Sequence, residues 1–166
     1  MLIEIVDYQP DWPKQFEIHR QIIAAALGDS ALRIEHIGST SVPGLAAKPI
    51  IDILVVVQDS TAESTYLPQL EVAGYVLRVR EPDWNEHRMF KTPEKNVHVH
   101  VYSAGCPEIE RNLIFRNRLR QNIEDRHRYE QTKRELAARE WSDMNEYADA
   151  KTDVIESVIR SVITSR

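Results

Sequence analysis

HIGSTSVPGLAAKPIIDILVVV, His36 to Val57, joins a small polar turn to a long apolar run that holds a single carboxylate. From Pro49 onward, PIIDILVVV is a β-branched run closed by polar Gln58-Asp59-Ser60, the pattern of a strand. Apolar residues at successive positions place that strand in the middle of a sheet, covered on both faces. The stretch opens where the short strand pattern RIEHIG gives way to Gly38-Ser39-Thr40-Ser41 and then Pro43-Gly44. A small polar loop of this kind brings backbone N–H groups and hydroxyls close to a phosphate, because glycine allows close approach. The same residues also serve a plain strand-to-helix turn in which Ser and Thr cap. The Gly-Lys-Ser/Thr ending of a Walker loop is absent. Asp52 is the one carboxylate in the apolar run, and a carboxylate buried there without a partner is costly. It needs a cation, either Lys48 in a structural pair or a metal ion that it ligates, and the metal is the reading adopted.

Outward from this core, a helix is expected from Asp11, with Asp11 as cap, Pro13 in the first turn, Phe16, Ile22, Ile23 and Leu27 on one face, and Gly28-Asp29 as its end. AESTYLPQLEVAG reads as a helix that Pro68 kinks or divides. YVLRVR, HRMFKT and NVHVHVYSAG read as further strands, after which the period changes to helical from Pro107. Asp143 and Glu146 form a capping pair for a last helix, whose inward stripe is Met144, Tyr147, Ala148, Val154, Ile155, Val158, Ile159 and Val162. The fold class is α/β (α+β): a mixed sheet flanked by helices, with a C-terminal helical cluster, read as one domain over 1–166.

On NVHVHVY, His98 and His100 alternate with valines, so a strand projects both imidazoles from one face. With Asp52 as neighbour they suit a transition metal better than magnesium; apart from it they are ordinary surface histidines. His36 either joins this cluster or donates to a backbone carbonyl. Lys48 and Arg88 are the candidates to meet phosphate, with Arg88 placed on the HRMF strand. Arg111, Arg116, Arg118, Arg120, Arg126 and Arg128 either grip phosphate or form solvated helical faces. Trp12, Trp84 and Trp141 read as packing anchors, and Cys106 carries no argument for a nucleophile.

Composition bounds the class. The 166 residues are 42% hydrophobic and 28% charged with a formal charge of −5, which disfavours general nucleic-acid binding and anionic membranes. The opening MLIEIVDYQPDWP lacks the pattern of a secretory signal, and no apolar run reaches the roughly 18 residues of a spanning helix. One cysteine excludes an internal disulfide and fits a cytoplasmic location with no membrane partner.

HIGSTSVPGLAAKPIIDI, taken with NVHVHVY, PEIERNLIFRNRLR and YADAKTDVIESVI, closely resembles the GrpB family, which belongs with the nucleotidyltransferase-like fold, and the likeness runs from DYQPDWP to near the end. In nucleotidyltransferases a strand leads into Gly-Ser, and a second strand roughly nine to thirteen residues on carries Asp-x-Asp or Asp-x-Glu. Here twelve residues separate Ser39 from Asp52, but Leu54 stands where the second carboxylate would be, and His98 and His100 stand on the counterpart of the third-carboxylate strand. The resemblance implies a nucleotide site at Gly38, Ser39, Thr40 and Ser41, with Lys48 and Arg88 on phosphate. Asp52, as the catalytic carboxylate, would share a divalent metal ion (Mg, Mn or Zn) with His98 and His100. The implied activity is transfer of a nucleoside monophosphate to an unknown acceptor; a non-catalytic nucleotide- or partner-binding module and a metal-dependent phosphate-ester hydrolase are the alternatives.

Overall fold

The computed structural model describes residues 3–164. Strands β1 (Arg33–Ile37), β2 (Ile51–Val57), β3 (Val76–Glu81), β4 (His87–Lys91) and β5 (Val97–Ser103) form one sheet in the order β1-β2-β5-β4-β3. β2 and β5 run parallel and every other pair is antiparallel, so the sheet is mixed. β2 is interior, and its residues from Ile53 to Val57 are all buried, as a run apolar on both faces requires.

One face of β2, Ile51, Ile53, Val55 and Val57, packs with Val97, Val99 and Val101 of β5 against helix α1 (Asp11–Leu27) and the short α2 (Leu67–Val72). The other face, Leu54 and Val56, packs with Ile37 and Tyr102 against Ile109 and Leu113 of α3 (Pro107–Gln121). Helices α4 (Ile123–Ala137) and α5 (Met144–Thr164) join α3 in the C-terminal cluster, where Val42 and Leu45 of the Gly38–Lys48 loop are buried against Leu119, Tyr129 and Val158. No helix among the described residues is long and apolar enough to cross a membrane.

Several local expectations shift. Pro10, not Asp11, occupies the cap of α1, and Asp11 Oδ2 accepts from Gln15 Nε2 instead. Ile22 lies on the outer side of α1, while Trp12, Ile23 and Leu27 are buried. Pro68 divides its segment into a 3-10 turn over Glu63–Thr65 and α2, since proline lacks the N–H needed inside a continuous helix. At α5, Glu146 N–H donates to Asp143 Oδ1 and Ser142 N–H to Glu146 Oε2, both at 2.9 Å. Tyr147, Val158 and Ile159 carry the buried stripe, and Ala148 is exposed. Trp12 is a buried anchor and Trp141 Nε1 donates to Leu136 O, whereas Trp84 is exposed and sets its edge against His87.

Candidate functional site

Asp52 projects from β2 toward α3, on the face it shares with Leu54 and Val56, and the parallel register sets His98 beside it. His100, two residues along β5, shares that face. His100 Nε2 lies 3.1 Å and His98 Nδ1 3.7 Å from Asp52 Oδ1. One ligand atom from each of Asp52, His98 and His100 falls within 4.8 Å of the others. Ligand atoms about 2.1 Å from a tetrahedral ion stand about 3.4 Å apart, so the trio draws together to hold one ion. Burial pushes the His98 imidazole down to about 4 against the pull of Asp52, leaving the neutral base that a metal needs. Burial works to raise Asp52, yet the hydrogen bond to His100 and the neighbouring His100, His98 and Lys151 hold it below the ordinary carboxylate value. One carboxylate with two imidazoles is a donor set for manganese or zinc more than for magnesium.

Gly38 makes room for this carboxylate. Its backbone has φ +74° and ψ −178°, and a Cβ there would stand 2.7 Å from Asp52 Oδ2. Thr40 and Ser41 are buried and committed inside the loop: Thr40 Oγ1 donates to Ile50 O and Ser41 Oγ to Gly38 O. Because the Thr40 proton is spent on Ile50, His36 Nε2–H donates to Thr40 Oγ1 at 3.0 Å. His36 pairs with Ile53 in the sheet and stacks on Phe16 of α1, on the opposite face from Asp52, so it does not join the metal cluster.

The loop, the β2–β5 seam and the C-terminal helices border a half-open pocket of about 330 Å³ lined by Gly38, Ser39, Lys48, Asp52 and His98 on one side and Tyr129, Lys133, Tyr147 and Lys151 on the other. Lys133 is 2% exposed and donates to Ala46 O at 2.6 Å; burial, with the charge of Lys151 added, pushes it down to about 7. The same two causes bring Lys48 down to about 8. Burial lowers Lys151 while Asp52 pulls it back. The Tyr147 hydroxyl is buried in this wall and has no hydrogen-bond partner among the described residues. Lys133 and Lys151 had a signal in the sequence: each follows a tyrosine by four helical positions, and each ammonium sits over that ring, at 5.0 Å for Tyr129 and 4.7 Å for Tyr147.

Arg88 is not in this pocket. It pairs with Val101 and so faces the α2 side of the sheet, where its guanidinium donates to Glu63 Oε2 (2.9 Å), Glu86 O (2.9 Å) and Glu86 Oε2 (2.7 Å). There it fastens the β3–β4 hairpin, whose Asn85 and Glu86 both take positive φ. The helical arginines are fasteners too: Arg116 donates to Glu35 and to His36 O, Arg120 to Ser41 O, Arg126 to Leu119 O and Arg118 to Asp125. Arg111 reaches the pocket wall but is paired with Glu108 and Glu156.

Similarity to known proteins agrees with this architecture. A UPF0157 protein of Halalkalibacterium halodurans is 52% identical over 158 residues, spanning 95% of this chain and 81% of that protein. A UPF0157 protein of Streptomyces coelicolor is 51% identical over 156 residues, spanning 94% of this chain and 82% of that protein. The crystal structure of conserved protein GrpB from Enterococcus faecalis aligns with a TM-score of 0.83 at 35% identity, covering 96% of this chain and 99% of that one. The family model described as GrpB protein matches residues 2–161, and the chain belongs to the GrpB family.

Proposed function

We propose that the pocket binds a nucleotide by its phosphates together with one divalent cation held by Asp52, His98 and His100, and that the protein transfers a nucleoside monophosphate to an acceptor hydroxyl. The observation that carries this reading is one pocket lined by Asp52 and His98, with His100 behind Asp52, and by three lysines, Lys48, Lys133 and Lys151. A divalent ion, when bound, neutralises phosphate charge and lowers the pKa of an attacking hydroxyl. Ser39 and the glycine backbone of Gly38 border the phosphates, the lysines balance their charge, and the orphan Tyr147 hydroxyl donates to a phosphate oxygen. The acceptor oxygen bonds to the α-phosphorus, the bond from that phosphorus to the α–β bridging oxygen breaks, pyrophosphate leaves, and the hydroxyl proton passes to solvent.

Leu54 favours a second reading, a nucleotide-binding module without turnover. It is fully buried among Ile37, Val56, Tyr102, Ile109 and Leu113, so this strand offers no second carboxylate to a second ion. Calorimetric titration of metal-free protein with manganese and with zinc, each with and without ATP and repeated on Asp52→Asn, tests the binding common to both readings. Metal uptake that requires Asp52 and tightens ATP binding supports it; uptake indifferent to Asp52 refutes it. Label from α-phosphate-labelled ATP appearing on a component of cell extract then marks the transferase, and binding without label transfer marks the module.

A further inference from the structure

A chain of polar contacts runs across the sheet to Asp52 from Glu81 on edge strand β3. Glu81 Oε1 is 2.7 Å from His87 Nδ1, His87 Nε2 is 3.0 Å from His100 Nδ1, and His100 Nε2 is 3.1 Å from Asp52 Oδ1. The rings cannot easily reorient. His87 is 6% exposed and stacks on His100 at 5.3 Å and on Tyr102 at 4.9 Å, with the edge of Trp84 closing the stack at 5.4 Å.

Ionised carboxylates only accept, and a neutral imidazole offers one N–H and one lone pair, so two imidazoles supply two hydrogens to three gaps. Without an ion, His100 Nε2–H donates to Asp52 Oδ1 and the unserved gap lies farther along the chain. An ion between Asp52 Oδ1, His98 Nδ1 and His100 Nε2 needs the Nε2 lone pair; His100 then carries its hydrogen on Nδ1 and donates it to His87 Nε2, and His87 donates its Nδ1–H to Glu81. With the ion in place every gap of the chain is filled.

We propose that Glu81 and His87 are positioning residues of the metal centre: they hold His100 in its Nδ1–H tautomer and aim its Nε2 at the ion shared with Asp52 and His98. This inference rests on the metal reading given above. Outer partners that fix the tautomer of a ligating histidine are typically worth 10–100-fold in metal affinity.

The test uses the full chain loaded with manganese, zinc or cobalt, in wild type and four variants. His87→Phe keeps a ring in the stack and removes both nitrogens, and its manganese and zinc affinities are expected to fall about 10–100-fold with a changed cobalt absorption spectrum. His87→Gln, whose amide oxygen can still accept from His100 Nδ1–H, restores most of that loss. Glu81→Gln keeps an acceptor and stays within a few-fold of wild type. Glu81→Leu, at a side chain 44% exposed, is tolerated by the fold even if His87→Phe is not, and it is expected to weaken binding several-fold. Nitrogen-15 spectra of zinc-loaded protein show which imidazole nitrogen of His100 carries hydrogen, a readout that simple packing by His87 does not move. Wild-type metal binding that His87→Phe and Glu81→Leu both leave unchanged overturns the positioning role and spares the metal site. Absence of metal binding by wild type overturns both.

Discussion

Replacing Gly38 by alanine puts the relation between the loop and Asp52 to a direct test. Gly38 has φ +74° and ψ −178°, a conformation almost confined to glycine and costing another residue about 1–3 kcal/mol. The added Cβ would lie 2.7 Å from Asp52 Oδ2, closer than real Cβ contacts, so the carboxylate has to turn. Turning it breaks the 3.1 Å contact of Oδ1 with His100, and a hydrogen bond to a charged group contributes about 1.5–3 kcal/mol. Together these come to about 4 kcal/mol, which for a chain of this size lowers Tm by roughly 8–16 °C. Gly28→Ala is the control: Gly28 also has positive φ, +53°, but a Cβ there meets nothing within 4 Å. Thermal melts and manganese titrations of both variants separate backbone strain from contact with Asp52. Gly38→Ala is expected to lose both stability and ion affinity, and Gly28→Ala only some stability. A Gly38→Ala protein that melts within about 2 °C of wild type and binds manganese equally well would mean that Gly38 does not make room for the Asp52 carboxylate.

Arg88→Met removes three hydrogen bonds far from the pocket, so it is expected to cost about 2 kcal/mol in urea melts and to leave ATP affinity unchanged; a selective loss of ATP binding would return Arg88 to the phosphates. Lys133 is held at about 7 against an ordinary 10.5, so the unfolded chain binds more protons between those values. Stability of the ligand-free protein therefore gains a contribution as pH rises from about 7 toward 10.5, and comparing Tm across that range in wild type and Lys133→Met should show the slope diminished in the variant. Phosphate stabilises charged lysine, so ATP binding at pH 8 should take up protons at Lys133 and weaken as pH climbs further; calorimetry in two buffers of unlike ionisation enthalpy that shows no uptake would place the phosphates elsewhere. Leu54→Asp buries a carboxylate among apolar side chains and should destabilise by several kcal/mol without adding a second ion, as a melt with and without manganese would reveal.

Period and turn chemistry made the sheet legible: the β-branched run of β2, the alternation of β5 and the Pro68 break each follow from local physics. Period also put His98 and His100 on one face, but which neighbour they meet depends on β5 pairing with β2 rather than with another strand, a long-range choice. The faces taken by Arg88 and His36 are hidden from the sequence for the same reason. A strand residue's face is fixed by the parity of its register, and a displacement of one residue exchanges the α1–α2 side for the side of Asp52. The helical arginines illustrate another limit: their partners Glu35, His36 O and Ser41 O lie about 80 residues away in the chain. Lys133 and Lys151 stood in plain view as Tyr-x-x-x-Lys repeats, yet only packing of α4 and α5 onto the Gly38–Lys48 loop brings them to the pocket.

Asp52 persists in an apolar strand because local terms offset its burial. Gly38 yields the volume, the imidazoles of His98 and His100 border one oxygen, and Lys151 contributes attraction across the pocket. The same arrangement sets the sign of what the pocket accepts. The chain as a whole carries −5, which repels extended polyanions, while Lys48, Lys133 and Lys151 are gathered in one pocket of about 330 Å³. Burial brings Lys133 down to about 7 and Lys48 to about 8, so the arrival of a phosphate, which stabilises the charged form, completes the charge of Lys133 above all. A small anion that brings its own divalent ion then satisfies the lysines, the Tyr147 hydroxyl and the Asp52 trio at once, and a free anion or a free metal ion satisfies only part. Binding of metal and nucleotide should therefore be mutually reinforcing, each raising the other's affinity by the same factor, as linkage demands.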